Sequence, residues 1–410
     1  MKSKIIELGK NYHFIIKIAR MCDFIIERCK YLIYYLTNKT DDKMVIFEVF
    51  GGRKYWDSPK AIYEFMIKSD DFKDYTFIWA FKDTTKYEFL KNNKNTILVK
   101  SGSMSYYKYF AKSKYWIVNY RISDVLKKKK SQIYVQCWHG TPLKKLGCDI
   151  KVDGNILNTV KEIHKNYKND SKRYDYMLSP SKFCTDAFAS AFDIKDKSII
   201  IESGYPRNDA IINHKKSDIA SIKRKLNIPP NVKVILYAPT FRDNEHDSKV
   251  GYTYRPNIDF DALKKEFDGE YIILYRAHYL VANAFDFDKY KGFVYDVCEY
   301  DDINVLYIIS DLLITDYSSV FFDYSILKRP IIFYMYDLDL YKNKLRDFYL
   351  DLSELPGNIV KTDKELIQEI KKEKNFKYDE RYKHFNEKFT YLEDGKTTQR
   401  VVSNIFGRKK

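Results

Sequence analysis

The spacing of hydrophobic positions in this 410-residue chain changes near residue 40. Before that point apolar residues recur at alternating steps of three and four, which is typical of one face of a long helix. Neither Gly nor Pro interrupts the segment between Lys10 and Thr40. The spacing therefore predicts a helical region over residues 1–40. Its apolar stripe consists of Ile5, Leu8, Tyr12, Ile15, Ala19, Cys22, Ile26, Cys29, Ile33 and Leu36.

The first forty residues are also basic, with eight Lys or Arg against three acidic residues. A basic amphipathic helix can lie in a bilayer interface with its apolar face among the acyl chains. The same pattern also suits a helix packed on the body of the protein or in a coiled coil, and both interpretations stay open here.

After Thr40, short apolar runs alternate with helical segments, which is typical of βαβ units and a parallel sheet. The first series of predicted strands comprises Met44–Phe50, Tyr75–Phe81, Thr96–Val99, Tyr115–Asn119, Ile133–Gln136, Tyr174–Leu178 and Ile199–Ser203. Predicted helices begin at Ser58-Pro59, where Ser caps the helix, and cover 155–169 and 182–192.

A second series of strands follows the turn Pro229-Pro230-Asn231, which marks the entry to another domain. Its predicted strands are Val234–Ala238, Ile272–Tyr275, Asp311–Thr315 and Pro330–Tyr336, with a helix over Val320–Leu327. We therefore predict an α/β protein with four parts. These are a helical segment (1–40), a first α/β domain (41–215), a second α/β domain (216–375) and a helical tail (376–410).

The net charge and the Cys content of the chain limit the kinds of partner and the compartment that we expect. The 72 Lys and Arg exceed the 56 Asp and Glu by 16, which favours a polyanionic partner. No zinc module, aromatic RNA-binding motif or leucine zipper accompanies the charge, so a membrane surface or a phosphorylated substrate is favoured over nucleic acid. The six Cys are scattered without C-x-x-C pairs, as in a reducing cytoplasm, and charged residues interrupt every apolar run that could form a signal or a spanning helix.

The stretch Gln136–Lys145 (QCWHGTPLKK) follows a predicted strand and breaks it with Gly and Pro. It brings His139 to the edge of a sheet, where open α/β sheets bind ligands. Lys144 and Lys145 indicate an anionic ligand, although a polar surface turn explains this stretch equally well on its own. Arg207, in the turn Gly204–Asp209 (GYPRND), is open to the same two interpretations.

Polar residues also follow the strands of the second series. Because the carboxyl ends of parallel strands meet at one edge, we expect these groups to form a pyrophosphate pocket. Two adjacent serines at a helix start offer hydroxyl and backbone N–H donors to an anion. The predicted group comprises Thr240, Arg242, Arg276, His278, Asp316, Ser318, Ser319 and Asp337.

Several stretches occur in an order that resembles the CDP-glycerol glycerophosphotransferases, which build wall teichoic acid and related polymers. They are WHGTPLKK (138–145), SPSKF (179–183), GYPRND (204–209), YAPTFR (237–242), YRAH (275–278), TDYSSVFFD (315–323) and LSELPGNIV (352–360). The similarity covers roughly residues 45–370 and departs from the family at residues 346–349, where a Gly commonly precedes the Phe.

The resemblance implies a GT-B-like fold, in which two Rossmann-like domains with parallel sheets face a cleft. It implies transfer of glycerol phosphate from CDP-glycerol to a hydroxyl of a lipid-linked polyol-phosphate or glycolipid acceptor, with release of CMP. It further implies a peripheral protein on the cytoplasmic face of the membrane, in contact with anionic lipid. By resemblance, His139 and His278 are the catalytic histidines of the two domains.

The chemistry of the residues agrees with this reaction. A polyol hydroxyl that attacks a diphosphate needs a base near pH 7, and a neutral His139 fits that role. The diphosphate can be neutralised and aligned by Arg242, Arg276, His278, Ser318 and Ser319. Asp316 can orient a hydroxyl or the nucleotide. The acceptor can be bound by Lys144, Lys145 and Arg207. We expect neither a metal nor another cofactor.

Three alternatives remain at this point. The donor could carry ribitol instead of glycerol, since the phosphate pocket would serve either. The fold could belong to a glycosyltransferase that uses a sugar nucleotide. The chain could also be a membrane- or polyanion-binding protein without catalysis. The sequence separates neither a primase from a polymerase nor a monomer from an oligomer.

Overall fold

A computed structural model describes residues 13–151, 159–240, 246–247, 251–252, 256–277, 285–338 and 347–407. The chain divides into two compact units. The first contains residues 1–55, 59–138 and 172–177, and the second contains residues 56–58, 139–171 and 178–410. This division differs from the continuous domains expected from sequence, because His139 and the segment after residue 178 group with the C-terminal half.

The first sheet has seven strands in the order β3-β2-β1-β4-β5-β6-β7. The pairings from β3 to β6 are parallel. The strands are β1 (Asp41–Glu48), β2 (Thr76–Phe81), β3 (Thr96–Lys100), β4 (Ser113–Val118), β5 (Ile133–Gln136), β6 (Tyr176–Ser179) and β7 (Ile200–Glu202). Helices along this part of the chain are α1 (His13–Thr37), α2 (Asp57–Met66), α3 (Met104–Lys112), α4 (Val160–Ser171) and α5 (Lys182–Ala191).

The second sheet lies in the second unit and has six parallel strands in the order β12-β11-β8-β13-β14-β15. Counted within the sheet this order is 3-2-1-4-5-6, which is the Rossmann topology. The strands are β8 (Lys233–Ala238), β11 (Tyr271–Tyr275), β12 (Val294–Asp296), β13 (Leu312–Thr315), β14 (Ile331–Tyr334) and β15 (Asn358–Val360). Two-residue strands β9 (His246–Asp247) and β10 (Gly251–Tyr252) pair separately as an antiparallel ladder.

Helices of the second unit cover both faces of this sheet. They are α6 (Asp209–Ile212), α7 (Lys216–Lys225), α8 (Phe260–Phe267), α9 (Ile303–Ile309), α10 (Val320–Tyr324), α11 (Asp363–Lys372), α12 (Glu380–Phe389) and α13 (Thr397–Phe406). Along β8, Val234 and Leu236 belong to one buried apolar cluster, and Ile235 and Tyr237 belong to another. A strand that is buried on both faces reads as a continuous apolar run, which is how β8 appears in the sequence.

Several predicted boundaries are shifted in the structure. Helix α2 begins at Asp57, so Ser58 lies inside its first turn, where its backbone N–H donates to Asp57 Oδ1 at 2.6 Å. The helix expected over 320–327 is α-helical only to Tyr324 and continues as one 3-10 turn. Strands β12 and β15 have three residues each and were not predicted, since so short a run carries no readable period.

Helix α1 packs one side against the first unit and exposes the other. Tyr31 is fully buried, and its hydroxyl donates to the carbonyl of Lys127 at 2.6 Å. Arg28 Nη1 donates to the carbonyls of Asp124 and Val125 at 2.9 and 2.6 Å. The apolar stripe from residue 22 onwards lies on the opposite, exposed side, and its members Ile5, Leu8 and Tyr12 fall outside the described residues. Its exposed members are Cys22, Ile26 (53% exposed), Cys29, Ile33 (55%) and Leu36 (77%).

In the part of the chain that the structure describes, no helix combines the length and the apolar character that crossing a membrane would require.

The C-terminal tail contacts the segment before β8. Tyr391 hydroxyl donates to Glu202 Oε1 at 2.7 Å, and the backbone N–H groups of Thr397 and Thr398 donate to the carboxylate of Asp209 at 2.9 and 2.7 Å. These contacts explain why residues 178–215 group with the C-terminal half of the chain.

Candidate active site

The loop that carries His139 is held by the side chain of Gln136 at the end of β5. Gln136 Nε2 donates to the carbonyl of Tyr120 at 3.0 Å, and Gln136 Oε1 accepts from the backbone N–H of Trp138 at 2.9 Å. Trp138 is buried and has a left-handed backbone with φ of 49°, so the chain turns sharply there. His139 follows this turn and is half-buried.

Gly140 brings the His139 loop into close contact with Ser319. A Cβ atom at Gly140 would lie 2.8 Å from Ser319 Oγ and 3.5 Å from Ser319 Cβ. Only a glycine allows this approach without a shift of the serine side chain. The loop after β5 and the loop after β13 are therefore adjacent, as the sequence interpretation requires of a site that uses both His139 and Ser319.

Thr240 and Asp316 meet at the carboxyl ends of two neighbouring strands, β8 and β13. The backbone N–H and the hydroxyl of Thr240 donate to Asp316 Oδ1 at 2.9 and 2.5 Å. In the 3-2-1-4-5-6 order, these strands flank the point at which the strand order reverses. Ligands of open α/β sheets bind in the crevice at that point. These bonds thus connect two residues of the predicted donor site, whose role stays a prediction.

Ser318 and Ser319 continue the β13 loop and are half-buried at the start of α10. Because α10 has only five residues, its N-terminus adds little helix dipole, and the hydroxyl groups are the relevant donors.

Arg276 lies at the end of β11, but its guanidinium is engaged by the main chain. Nη1 donates to the carbonyls of Val297 and Tyr300 at 2.9 and 2.6 Å, and Nη2 donates to the carbonyl of Asp301 at 3.5 Å. Burial lowers the pKa of Arg276 from its usual value. The geometry indicates that Arg276 supports the 297–301 loop, which is a different role from the direct diphosphate contact expected from sequence.

Lys144 and Lys145 run beside the segment 347–349. Lys144 forms an antiparallel bridge with Phe348, and Lys145 N donates to the carbonyl of Asp347 at 2.8 Å. Lys144 Nζ lies 5.9 Å from the centre of the Tyr317 ring, whereas Lys145 Nζ lies 4.2 Å from the centre of the Tyr349 ring. Lys144 is therefore close to the 316–319 motif, and the two lysines have different surroundings.

Arg207 is buried, with 3% of its surface exposed, and forms ion pairs with two carboxylates. Nη1 lies 2.9 Å from Asp57 Oδ1, and Nε lies 3.0 Å from Asp323 Oδ2. Burial by itself would lower the pKa of Arg207, but the charges of Asp323 and Asp57 raise it well above its usual value. These contacts favour the structural interpretation of the Gly204–Asp209 turn over the acceptor-binding role expected of Arg207.

A third carboxyl group, that of Glu393, lies near these two ion pairs. Glu393 Oε1 accepts from the backbone N–H of Tyr205 at 2.9 Å and from Asn208 Nδ2 at 3.0 Å. Burial raises the pKa of Glu393 to about 8, against the opposing effect of these bonds. Glu393 is therefore protonated, and uncharged, in most molecules at neutral pH.

Two predicted site residues, Arg242 and His278, lie outside the described residues. Their nearest described neighbours are Thr240 and Ala277, at the ends of β8 and β11. Among the residues that the structure describes, no group of three or more His, Cys, Asp or Glu side chains is arranged to hold a metal ion.

Comparison with known proteins identifies the family. The family model for CDP-Glycerol:Poly(glycerophosphate) glycerophosphotransferase matches residues 31–407. The chain belongs to this family.

Similar curated proteins agree with the assignment. The teichoic acid glycerol-phosphate transferase of Staphylococcus aureus is 42% identical over 93% of this chain and 98% of its own length. The teichoic acid poly(glycerol phosphate) polymerase of Bacillus spizizenii is 40% identical over 90% of this chain and 93% of its own. The poly(ribitol-phosphate) polymerase of Bacillus spizizenii is less similar, at 34% over 84% of this chain and 53% of its own.

A solved structure of the wall teichoic acid polymerase TagF aligns with a TM-score of 0.84 and 39% identity, over 95% of this chain and 96% of that one. Family membership and this likeness confirm the expected GT-B-like α/β fold. They also confirm that the chain is a glycerophosphotransferase of the teichoic acid type.

Sequence reasoning missed residues that hold the loops of the candidate site in place. Asp323 stands within the 315–323 stretch that carried the resemblance, yet its pairing with Arg207 joins positions 116 residues apart. Tyr317, whose hydroxyl donates to Asp337 Oδ1 at 3.1 Å, was likewise read only as part of the motif. An acidic residue one helical turn after a ligand loop is the signal that could have indicated Asp323.

Proposed function

We propose that this chain transfers glycerol phosphate from CDP-glycerol to a hydroxyl of a lipid-linked acceptor, during synthesis of teichoic acid or a related cell-surface polymer. The observation that supports this proposal most directly is the close approach of Gly140 to Ser319. Because of it, the loop that carries His139 lies beside the loop after β13, next to the point at which the strand order of the second sheet reverses. A base on one loop and phosphate-binding hydroxyls on the other are what this reaction requires.

His139 is the proposed general base. Its neutral imidazole takes the proton of the acceptor hydroxyl as that oxygen attacks the phosphorus bonded to glycerol. An oxygen–phosphorus bond forms to the acceptor, the bond from this phosphorus to the bridging oxygen breaks, and CMP leaves with that oxygen. The proton on His139 is then returned to solvent.

The donor diphosphate is proposed to bind at the end of β13. Ser318 and Ser319 would donate hydroxyl hydrogen bonds, while Asp316, fixed by Thr240, would orient a donor hydroxyl or the nucleotide. Lys144 is close enough to Tyr317 to contribute positive charge at the same place, so we now assign it to the donor phosphates. Arg242 and His278 remain proposed donor-site and catalytic residues from sequence.

The acceptor is proposed to approach past Lys145, which lies beside Tyr349 instead of the 316–319 motif. We do not assign Arg207 to the acceptor site, because its guanidinium already forms ion pairs with Asp57 and Asp323. In its place we propose a supporting role, in which Arg207 holds α10 through Asp323 and thereby fixes Ser318 and Ser319.

We also propose that the protein is peripheral to the cytoplasmic face of the membrane and docks through α1. The exposed apolar residues Ile26, Ile33 and Leu36 lie on one side of this helix, and the net positive charge favours anionic lipid.

A comparison of donors tests the proposed reaction. The protein is incubated with a lipid-linked acceptor and with CDP-glycerol, CDP-ribitol or UDP-sugars, and the released nucleotide and the product mass are measured. CMP release with addition of glycerol phosphate is expected. Turnover of a UDP-sugar alone would contradict the proposal, and turnover of CDP-ribitol in preference to CDP-glycerol would reassign the donor.

A further inference from the structure

Glu48 is a buried carboxyl group at the end of β1, in the middle of the first sheet, with 1% of its surface exposed. The strand order of this sheet reverses between β1 and β4. Open α/β sheets bind ligands at such a point, and Thr240 and Asp316 occupy the corresponding place in the second sheet. A carboxylate is costly to bury unless its hydrogen bonds are made, so the bonds of Glu48 indicate its role.

Among the described residues, three hydroxyl groups donate to the Glu48 carboxylate. Oε1 accepts from Ser101 Oγ at 3.0 Å, and Oε2 accepts from the Tyr106 hydroxyl at 3.1 Å and the Tyr120 hydroxyl at 2.6 Å. Burial raises the pKa of each tyrosine well above its usual value, so both hydroxyl groups keep their protons and act as donors. Glu48 therefore connects the loop after β3, helix α3 and the loop after β4, which indicates a supporting role.

One of these three connections leads to the loop that carries His139. The backbone carbonyl of Tyr120 accepts from Gln136 Nε2 at 3.0 Å, and Gln136 Oε1 accepts from the backbone N–H of Trp138 at 2.9 Å. Trp138 immediately precedes His139. A continuous series of contacts thus runs from the Glu48 carboxylate to the turn from which His139 extends.

The conformation of that turn depends on such support. Trp138 has φ of 49°, and a residue other than glycine keeps a left-handed backbone only where its surroundings hold it there. A general base must lie within hydrogen-bond distance of the proton that it removes. Because a displacement of about 1 Å can lower a rate by about 10²-fold, small movements of this turn should affect catalysis by His139.

We propose that Glu48 and Tyr120 are positioning residues for the transfer reaction. The Glu48 carboxylate fixes the Tyr120 side chain, the Tyr120 carbonyl fixes Gln136, and Gln136 holds the turn that places the His139 imidazole. This inference rests on the proposed function. It adds that the rate of transfer depends on two residues that act only through His139.

A matched pair of substitutions tests the inference. Tyr120→Phe removes the hydroxyl that connects Glu48 to the His139 loop, whereas Tyr106→Phe removes a hydroxyl that donates to the same oxygen from α3. We expect Tyr120→Phe to lower kcat by about tenfold, as for loss of one hydrogen bond to a charged group, with the KM for CDP-glycerol unchanged. Tyr106→Phe should change kcat by less than about twofold. Urea unfolding should give the two variants similar midpoints, since each loses one bond to the same oxygen.

A double substitution shows whether Tyr120 acts through His139. In the His139→Ala background no imidazole remains to be positioned, so Tyr120→Phe should change the residual rate by less than about twofold. A loss of stability alone would instead lower the rate by the same factor in both backgrounds.

Equal kcat values for Tyr120→Phe and Tyr106→Phe would overturn the inference. So would a tenfold effect of Tyr120→Phe that persists in the His139→Ala background, because Tyr120 would then act by another route. Either result leaves the proposed function intact, since transfer from CDP-glycerol by the wild-type protein is measured in the same assay.

Discussion

Arg207 and Asp323 form a buried ion pair in which Arg207 Nε lies 3.0 Å from Asp323 Oδ2. The pair connects the turn after β7 to α10, the short helix that follows the serines of the candidate donor site. Asn304 Nδ2 also donates to the carbonyl of Arg207 at 2.6 Å. The loop that carries Ser318 and Ser319 is thus held by this ion pair as well as by the apolar packing of α10.

Removal of the Arg207 charge should destabilise the protein strongly. In the variant Arg207→Met, Asp57 and Asp323 lose their buried cation, which typically costs about 3–5 kcal/mol of unfolding free energy. Urea unfolding measures the change, with Arg381→Met at an exposed arginine as the control. Equal unfolding free energies for the two variants would show that the pair is not a stabilising feature of the second unit.

Replacement of Gly140 by alanine should lower activity, because the added Cβ atom displaces the Ser319 side chain. In Gly140→Ala the new methyl group lies 2.8 Å from Ser319 Oγ and forces the hydroxyl to rotate away. We expect kcat/KM for CDP-glycerol to fall by about tenfold, as for loss of one hydrogen bond to a charged phosphate.

The double variant supplies the control for this contact. Ser319→Ala removes the hydroxyl directly, so the effects of Gly140→Ala and Ser319→Ala should not add when combined. Fully additive losses would mean that Gly140 affects the reaction by another route.

Stability should depend on pH through Glu393. Its pKa is raised from 4.5 to about 8 in the folded protein, because burial disfavours the charge. The folded state then keeps a proton that the unfolded state releases, so the stabilisation is complete below about pH 4.5 and is lost as the pH rises towards 8. The slope is at most about 1.4 kcal/mol per pH unit.

Thermal unfolding of the wild type and of Glu393→Gln from pH 5 to pH 9 measures this contribution. The amide of Gln can still accept from Tyr205 N–H but does not titrate. Its melting temperature should therefore fall less between pH 5 and pH 8 than that of the wild type. Parallel pH profiles for the two proteins would rule out Glu393 as the titrating group.

The exposed side of α1 should determine membrane binding. The triple variant Ile26→Asn, Ile33→Asn, Leu36→Asn removes apolar surface that the fold itself does not bury, so stability should change little. Flotation with anionic liposomes should show loss of binding. Phe89→Asn, at another exposed apolar residue of the first unit, is the matched control and should bind normally. Undiminished binding by the triple variant would show that α1 is not the docking surface.

Sequence patterns predicted most of the strands but not the contacts that hold the residues of the candidate site. Long apolar runs such as Val234–Ala238 are read easily, because a strand buried on both faces has no polar positions. The sequence pattern did not show which side of α1 packs against the protein. Its apolar stripe faces outwards, and the packed side is held instead by Arg28 and Tyr31. A search for the spacing of apolar residues passes over these two side chains, because it does not class them as hydrophobic.

The roles of the arginines show the limit of motif reasoning. Arg207 lies in the turn after β7 and Arg276 lies at the end of β11, where a ligand contact was expected, but other protein groups bind the guanidinium of each. Asp57, which pairs with Arg207, lies 150 positions away. Sequence patterns can suggest which residues follow a strand, but only the tertiary contacts distinguish an arginine that is open to a ligand from one that supports a loop.

Transfer catalysed by His139→Ala is the most direct test of the central claim. With CDP-glycerol and a lipid-linked acceptor, the wild type should release CMP and add glycerol phosphate to the acceptor, as read by mass analysis. His139→Ala should lower the rate by about 10²–10⁴-fold, the usual contribution of a general base, while CDP-glycerol and liposomes still bind. A wild-type rate of CMP release from His139→Ala would contradict the account.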